Sequence, residues 1–216
     1  MNRSTIYSFL VFFGSFSYGI DSPAIDFRID YEWTFNAFSM PRKIYAPDFY
    51  SFDPNQLDAV RICVFVVDGN AVESTSSIDS AVRLADGFLG SVRWNWQLPD
   101  ATGAILFKFT RSNFPEDILI VPEAELDEPV STLVEVAFTY PRSVHAVVSG
   151  FVDVELLVDP AGVPVTARAV RASIPAFAMS ACLTALMHRF TGGSAEGVPV
   201  YYSKMIRVQW NIHGDK

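Results

Sequence analysis

The chain of 216 residues is poor in the groups that serve metal and redox chemistry. Its two cysteines, Cys63 and Cys182, form no CxxC motif, and its histidines (His145, His188 and His213) form no HExxH motif. Metal binding and nucleophilic catalysis need side chains that converge on one point. The sequence therefore predicts no catalytic residue, no metal ligand and no cofactor, and we expect the chain not to be an enzyme.

Each cysteine lies among apolar residues, Cys63 between Val60 and Val67 and Cys182 in a segment rich in Ala and Leu. Such a setting is typical of a buried free thiol. An exported protein with an even number of cysteines can also form a disulfide. Two free thiols are the favoured interpretation, and a bridge is the alternative.

Basic residues are scarce, with 16 Lys and Arg against 24 Asp and Glu, for a net charge of −8. Residues 20–139 hold 8 basic and 19 acidic residues, whereas residues 140–216 hold 7 and 5. The lack of basic clusters argues against nucleic acid as a partner. Six carboxylates gather in residues 115–129 without the spacing of a calcium loop. We expect that segment to be a solvated connection between two modules.

Long apolar segments are also rare. Residues 1–19 contain Arg3, an apolar run at 6–13 and a small-residue end at 17–19, the pattern of a signal peptide. The alternative is a retained anchor, but a bilayer span takes roughly 20 apolar residues. No later segment is long enough, so we expect a periplasmic or secreted protein with no membrane span after signal removal.

Half of the residues are apolar, and 18 are Phe, which is enough for a packed core. In residues 20–132, apolar alternation predicts strands at 25–35, 59–67 and 104–110, with a hairpin at Asp68-Gly69. A helix is predicted at 80–92. This part reads as a divergent α+β module.

Residues 133–216 read as a second module. Strands are predicted at 150–158 and 163–169, on either side of a turn at Asp159–Gly162. Pro175 suits the first turn of a helix that ends near Phe190. In the closing strand Ile206, Val208 and Trp210 alternate with polar residues. The expected fold is a small antiparallel sheet with one packed helix, in the order β-β-α-β.

The two modules show a suspected internal repeat over about residues 57–110. When the chain is slid over itself, Ser77-Ile78 falls on Ser173-Ile174 and Arg93-Trp94 falls on Arg189-Phe190 without insertion. Few residues are identical, so the order of the elements is the stronger argument for a tandem duplication. Chance matching of two small α+β units is the alternative.

Residues 140–212 resemble the C-terminal domain of the TonB family of energy transducers. The resemblance rests on the order of Tyr140-Pro141, Gly150-Phe151-Val152, Val158-Asp159 with Gly162, Ser173-Ile174-Pro175, and Arg189-Phe190. It implies a helix packed on a small sheet whose edge captures an extended peptide from an outer-membrane transporter. The chain departs from the family because Thr191-Gly192-Gly193 replaces a proline, and because a folded acidic module stands where transducers have a membrane anchor and a proline-rich spacer.

The sequence therefore predicts a protein-interaction module that binds a peptide or protein by strand addition, with a link to outer-membrane transport. The alternative is a structural or self-associating protein, for instance a homodimer, whose sheet edge is used internally. Partner-binding residues are expected on the closing strand: Lys204, Ile206, Arg207, Val208, Gln209 and Asn211. Lys204, Arg207, Gln209 and Asn211 are expected to face outward. Val208→Pro is expected to remove a ladder donor and abolish binding.

Overall fold

The structure, a computed structural model, describes residues 24–34, 43–45, 59–68, 70–77, 84–86, 102–113, 118–137 and 149–210. Several predicted features lie outside these ranges, among them residues 1–19, Tyr140-Pro141, His145, Asn211 and His213. The described part is α+β and consists mostly of strands, which confirms the predicted fold class. In these ranges no helix has the length and apolar character needed to cross a bilayer.

The strands, numbered in chain order, are β1 (Phe27–Trp33), β2 (Lys43–Tyr45), β3 (Ala59–Val67), β4 (Asn70–Ser76), β5 (Gly103–Arg111), β6 (Ile120–Pro122), β7 (Thr132–Ala137), β8 (Gly150–Val158), β9 (Pro164–Ala172), β10 (Arg189–Phe190), β11 (Ser194–Ala195), β12 (Val198–Pro199) and β13 (Tyr201–Trp210). The helix α1 spans Ala178–Leu186, and short 3₁₀ turns lie at Glu123–Glu125 and Pro175–Phe177. Residues 84–86 are helical, within the helix predicted at 80–92.

Two four-stranded sheets form the body of the protein. The first has the order β1-β5-β3-β4 and is antiparallel, with β3 and β4 joined by the predicted hairpin, where Asp68 has φ 48°. The second has the order β6-β13-β8-β9, in which β6 runs parallel to β13 and the other pairs are antiparallel. In addition, β7 pairs with β10 and β2, and β11 pairs with β12.

One hydrophobic core extends through both predicted modules. Ile62 and Phe107 from the first sheet belong to the same cluster of buried residues as Val154 and Leu156 from the second. The helix α1 buries almost its whole surface, because it packs against β8 and β9. Burial of this kind is the main favourable term in folding.

Residues that flank the strands of the first sheet also form hydrogen bonds with β9. The N–H of Ile25 donates to the Ala167 carbonyl at 2.8 Å, and the Ala167 N–H donates back at 3.1 Å. The Ser112 hydroxyl donates to the Val165 carbonyl at 2.6 Å. The outer edge of β9 is therefore partly covered by the chain itself.

The acidic segment is more than the solvated connection that its composition predicts. Its residues 120–122 form β6, and Glu123 makes an ion pair with Lys204. The Asp127 carboxylate accepts the N–H groups of Gly197 and Glu196, both at 2.9 Å. The bond from Gly197, followed by those from the Ser194 side chain and Glu196, holds the pKa of Asp127 below its ordinary value. Through β6, the segment thus contributes a strand to the second sheet.

The helix ends earlier than its apolar stripe predicts. The last residue of α1 is Leu186, and Arg189–Phe190 form β10, which pairs with β7. His188, expected on the helix, follows it instead. Phe190 is nevertheless buried, because β10 lies against the same core as α1.

Candidate functional site: the open edge of β13

Among the described residues, the strand β13 is paired along its length on one side only. Its pairing with β8 runs from Tyr202 opposite Val158 to Trp210 opposite Gly150. On its other side, β6 covers no more than Tyr201–Ser203. Within the described ranges no strand pairs with that side between Lys204 and Val208. We call this stretch the open edge.

The direction of each N–H group on β13 follows from the ladder on β8. Phe151 accepts the Ser173 N–H at 2.9 Å and donates to the Ser173 hydroxyl at 2.8 Å, so its main-chain groups point toward β9. Successive residues of a strand point to alternate sides, and Val152 and Val154 therefore point toward β13. Their partners Val208 and Ile206 bond back into β8.

By the same alternation, Met205 and Arg207 point their N–H and C=O groups toward the open edge. Val208→Pro would therefore remove a donor of the ladder with β8 and none of the donors on the open edge. The Val208 N–H serves the ladder with β8, and the Val208 side chain is fully buried. A proline there would damage the sheet rather than the open edge.

Lys204 does not face outward as expected. Its side chain lies on the inner face of the sheet, where its ammonium group pairs with Glu123 and lies 5.3 Å from the centre of the Phe190 ring. Ile206 lies on the same face and is half-buried. Both residues line a cavity of about 560 Å³, together with Leu133.

The outer face of the open edge carries a cluster of charges. Arg207 donates to the two Asp153 oxygens at 2.6 and 3.0 Å, and Arg171 on β9 donates to the same carboxylate at 2.7 Å. The bond from Arg207, followed by those from Arg171, holds the pKa of Asp153 below its ordinary value. Both guanidinium groups lie over the Phe151 ring, at 4.7 Å and 5.2 Å.

Of the two remaining predicted partner-binding residues, Gln209 and Asn211, the structure describes only the first. Gln209 is exposed on the outer face. Asn211 lies outside the described residues. Met205, which was not predicted, is 54% exposed and lies next to a second cavity of about 470 Å³ beside Glu123. The alternation of β13 in the sequence predicts that the Met205 side chain faces outward. It does not predict the direction of the Met205 N–H group.

The motif residues that carry the family resemblance have structural roles. Asp159 accepts the N–H groups of Ala161 and Val163, both at 2.9 Å, which closes the turn between β8 and β9. Ser173 ties the end of that hairpin to Phe151. Pro175 begins the 3₁₀ turn that leads into α1.

The largely buried side chain of Arg189 connects the end of α1 to β1. Its guanidinium donates to the His188 carbonyl at 2.7 Å, and also to the carbonyl of Ile29 on β1. It stacks over Tyr31 at 4.4 Å, whose hydroxyl donates to the Met187 carbonyl at 3.0 Å. Burial raises the pKa of Tyr31 to about 12, so the hydroxyl stays neutral.

Two features of the described part of the chain bear on metal and thiol chemistry. Groups of three or more His, Cys, Asp or Glu side chains that could hold a metal ion are absent there. Cys63 and Cys182 are free thiols, and burial raises the pKa of Cys182 to about 12, which makes its nucleophilic thiolate scarce.

No protein-family model, no curated protein and no solved structure matches the chain. A functional proposal for this protein therefore depends on its own geometry, and above all on the open edge.

Proposed function

We propose that this protein is an interaction module that binds an extended peptide or protein segment by strand addition at the open edge. The observation that carries the proposal is the main-chain direction of Met205 and Arg207, which aim at a side of β13 with no strand beyond Ser203 in the described ranges. An added strand would supply the missing hydrogen bonds. Unpaired strand edges are otherwise usually protected.

The size of the open edge suits a short segment. Lys204–Val208 spans roughly 17 Å at the rise of a strand. The cavity of about 560 Å³ lies against one face of this stretch and offers room for side chains of an added strand. The bound segment would continue the position of β6, which ends at Pro122.

The finer assignments of the sequence belong to the same proposal. Residues 140–212 form a domain similar to the C-terminal domain of the TonB family, exported to the periplasm or beyond, with a segment of an outer-membrane transporter as the partner. What supports this is the order of the motifs, together with a helix on a sheet whose last strand has an open edge.

We also propose that the two sheets arose by tandem duplication. The strand orders β5-β3-β4 and β13-β8-β9 correspond. Counted along the chain, the first of the three strands in each lies in the middle and pairs with both the second and the third. Helical residues stand between the second and third strands in both, at 84–86 and in α1. The flanking strands differ, since β1 is antiparallel to β5 and β6 is parallel to β13.

The proposal is tested with Met205→Pro and its matched control Met205→Thr. The side chain is exposed, so both variants should fold. The probe is a dye-labelled pool of seven-residue peptides randomised over Thr, Val, Glu and Lys. We expect Met205→Pro to weaken binding about tenfold relative to Met205→Thr, because one main-chain hydrogen bond is lost.

Amide hydrogen exchange supplies the second readout. Saturation with the pool should slow exchange at Met205 and Arg207. Equal binding by the two variants, or protection confined to other strands, would contradict strand addition at this edge.

Self-association through the same edge is the second candidate. The bridge between Ile25 and Ala167 favours it, since it partly covers the other border of this sheet and leaves the open edge as the border available to a second copy. Sedimentation over a wide concentration range distinguishes the two. A dimer that Met205→Pro dissociates supports self-association, and a monomer at every concentration excludes it.

A further inference from the structure

Resting on the proposed function, we infer that the bound segment carries an acidic residue directly beside an apolar one. The acidic side chain would lie opposite Arg207 on the outer face, and the apolar side chain opposite Ile206 on the inner face. Adjacent residues of a strand project to opposite faces, so the two requirements fall on neighbouring positions of the partner.

The outer face has a positive charge in excess. Two guanidinium groups, from Arg171 and Arg207, share the single carboxylate of Asp153. Arg207 uses Nε and Nη2 for that carboxylate, and its Nη1 has no hydrogen-bond partner among the described residues. Its side chain is 51% exposed, at the border where a strand would add. A carboxylate there would complete the hydrogen bonding of the guanidinium.

The neighbouring pair on the outer face adds no net charge. Arg168 donates to Glu155 at 2.6 Å, one residue pair further along the sheet. The next residue on this face of β13 is Met205, which is uncharged. The excess of one positive charge is therefore shared by Arg171 and Arg207, and of these two only Arg207 stands at the open edge. A Lys in the partner opposite Arg207 would be repelled.

The inner face favours an apolar group. Next to Ile206, the cavity is lined by the apolar side chains of Phe190 and Leu133, and Leu133 is 53% exposed. Its polar lining residues are Thr132, Glu135, His188 and Lys204. Lys204, the one Lys or Arg among the described lining residues, is already paired with Glu123. An apolar side chain placed here gains about 25 cal/mol for each Å² that it removes from water.

The experiment uses an array of seven-residue peptides with Thr at the flanks. The central pair is Val-Glu, Val-Lys, Val-Gln or Ser-Glu. Each pair is made in both orders, so that strands added parallel and antiparallel to β13 are both tested. We expect one order of the Val-Glu pair to bind about three- to tenfold tighter than Val-Lys and Ser-Glu in that order. Affinities are measured by anisotropy, with Met205 and Arg207 amide exchange recorded for each peptide.

Two variants test the role of Arg207. Arg207→Glu should reverse the preference, so that Val-Lys binds better than Val-Glu. Arg171→Glu is the matched control, because it removes the same kind of bond to Asp153 but lies two strands away from the open edge. A reversal by both variants would overturn the inference, since the preference would then come from the general field of the sheet.

The outcomes separate this inference from the function on which it rests. Equal binding of all peptides, with both edge amides protected, overturns the inference and leaves strand addition intact. No binding by any peptide, with no protection, overturns both.

Discussion

His188 is a packing residue whose imidazole must stay neutral. Its Nδ1–H donates to the Thr184 carbonyl at 3.3 Å, and its Nε2 accepts the Val136 N–H at 3.4 Å. The ring stacks on Phe190 with centroids 5.9 Å apart. Burial is the main cause that lowers its pKa to about 4, and the nearby charges of Glu135 and Arg189 act in opposite directions.

The lowered pKa of His188 makes the stability of the fold depend on pH. The unfolded chain binds a proton below about 6.5, whereas the folded chain binds one only below about 4. The contribution is therefore complete above pH 6.5 and is lost as the pH falls toward 4. We expect the free energy of unfolding to drop by about 2 kcal/mol between pH 7 and pH 5. Urea unfolding at the two pH values measures it.

The control for this prediction is His188→Gln, which removes the titrating group but keeps a polar side chain. The variant should be less stable than the wild type at pH 7, because the Val136 N–H loses its acceptor. It should also lose most of the drop between pH 7 and pH 5. An unchanged drop would assign the pH dependence to other groups.

The sequence predicts best on which face of β13 each side chain lies. The apolar alternation of β13 correctly places Val208 and Trp210 inward and Arg207 outward. The prediction is wrong for Lys204, because a paired and snorkelling lysine can occupy an inner position. The alternation of side chains also does not say which neighbouring strand each amide bonds to, and the pairing of Val208 with β8 becomes known only from the structure.

Among the elements, the turn between β8 and β9 depends on Gly162. Its φ is +84°, and an added Cβ would lie 2.0 Å from the Phe190 carbonyl oxygen. Its own carbonyl accepts the Phe190 N–H at 3.0 Å. The turn at Gly162 and β10 thus lie so close together that there is no room for a side chain at position 162.

Gly197 provides the matched control for that turn. Its φ is +76°, but an added Cβ would have no heavy atom within 4 Å. Gly197→Ala should cost about 1 kcal/mol, for the backbone conformation alone. Gly162→Ala should cost at least about 2 kcal/mol more, because the contact with Phe190 adds strain. Denaturant unfolding compares the two, and equal losses would refute a role for close approach.

Local elements are predictable because their period is set within a few residues. The strand predicted at 59–67 is β3, and the predicted hairpin joins it to β4. The neighbour of β13 is not predictable in this way. The strand β6 has only three residues, lies in an acidic segment, and pairs in parallel with a strand distant in sequence. Such a pairing depends on how the whole chain packs.

The whole molecule behaves as one packed unit in its described part, not as two modules joined by a linker. The core is shared, and Arg189 binds Ile29 across the two halves. Sequence alternation identifies the two sheets separately, but it cannot show that they bury residues against each other. The contacts between them involve residues that stand far apart in the chain.

Cooperativity between the halves can be followed at Cys182, which is 1% exposed and reacts only after opening. Ile62 is fully buried in the first sheet, so Ile62→Ala should cost at least about 2 kcal/mol. If the shared core couples the halves, labelling of Cys182 should accelerate about 30-fold. Mass spectrometry measures the labelling of each thiol. Val72→Ala, at a position 48% exposed on β4, should leave the rate unchanged. A Cys182 rate insensitive to Ile62→Ala would mean that the second sheet opens independently, and the shared core would then carry no coupling.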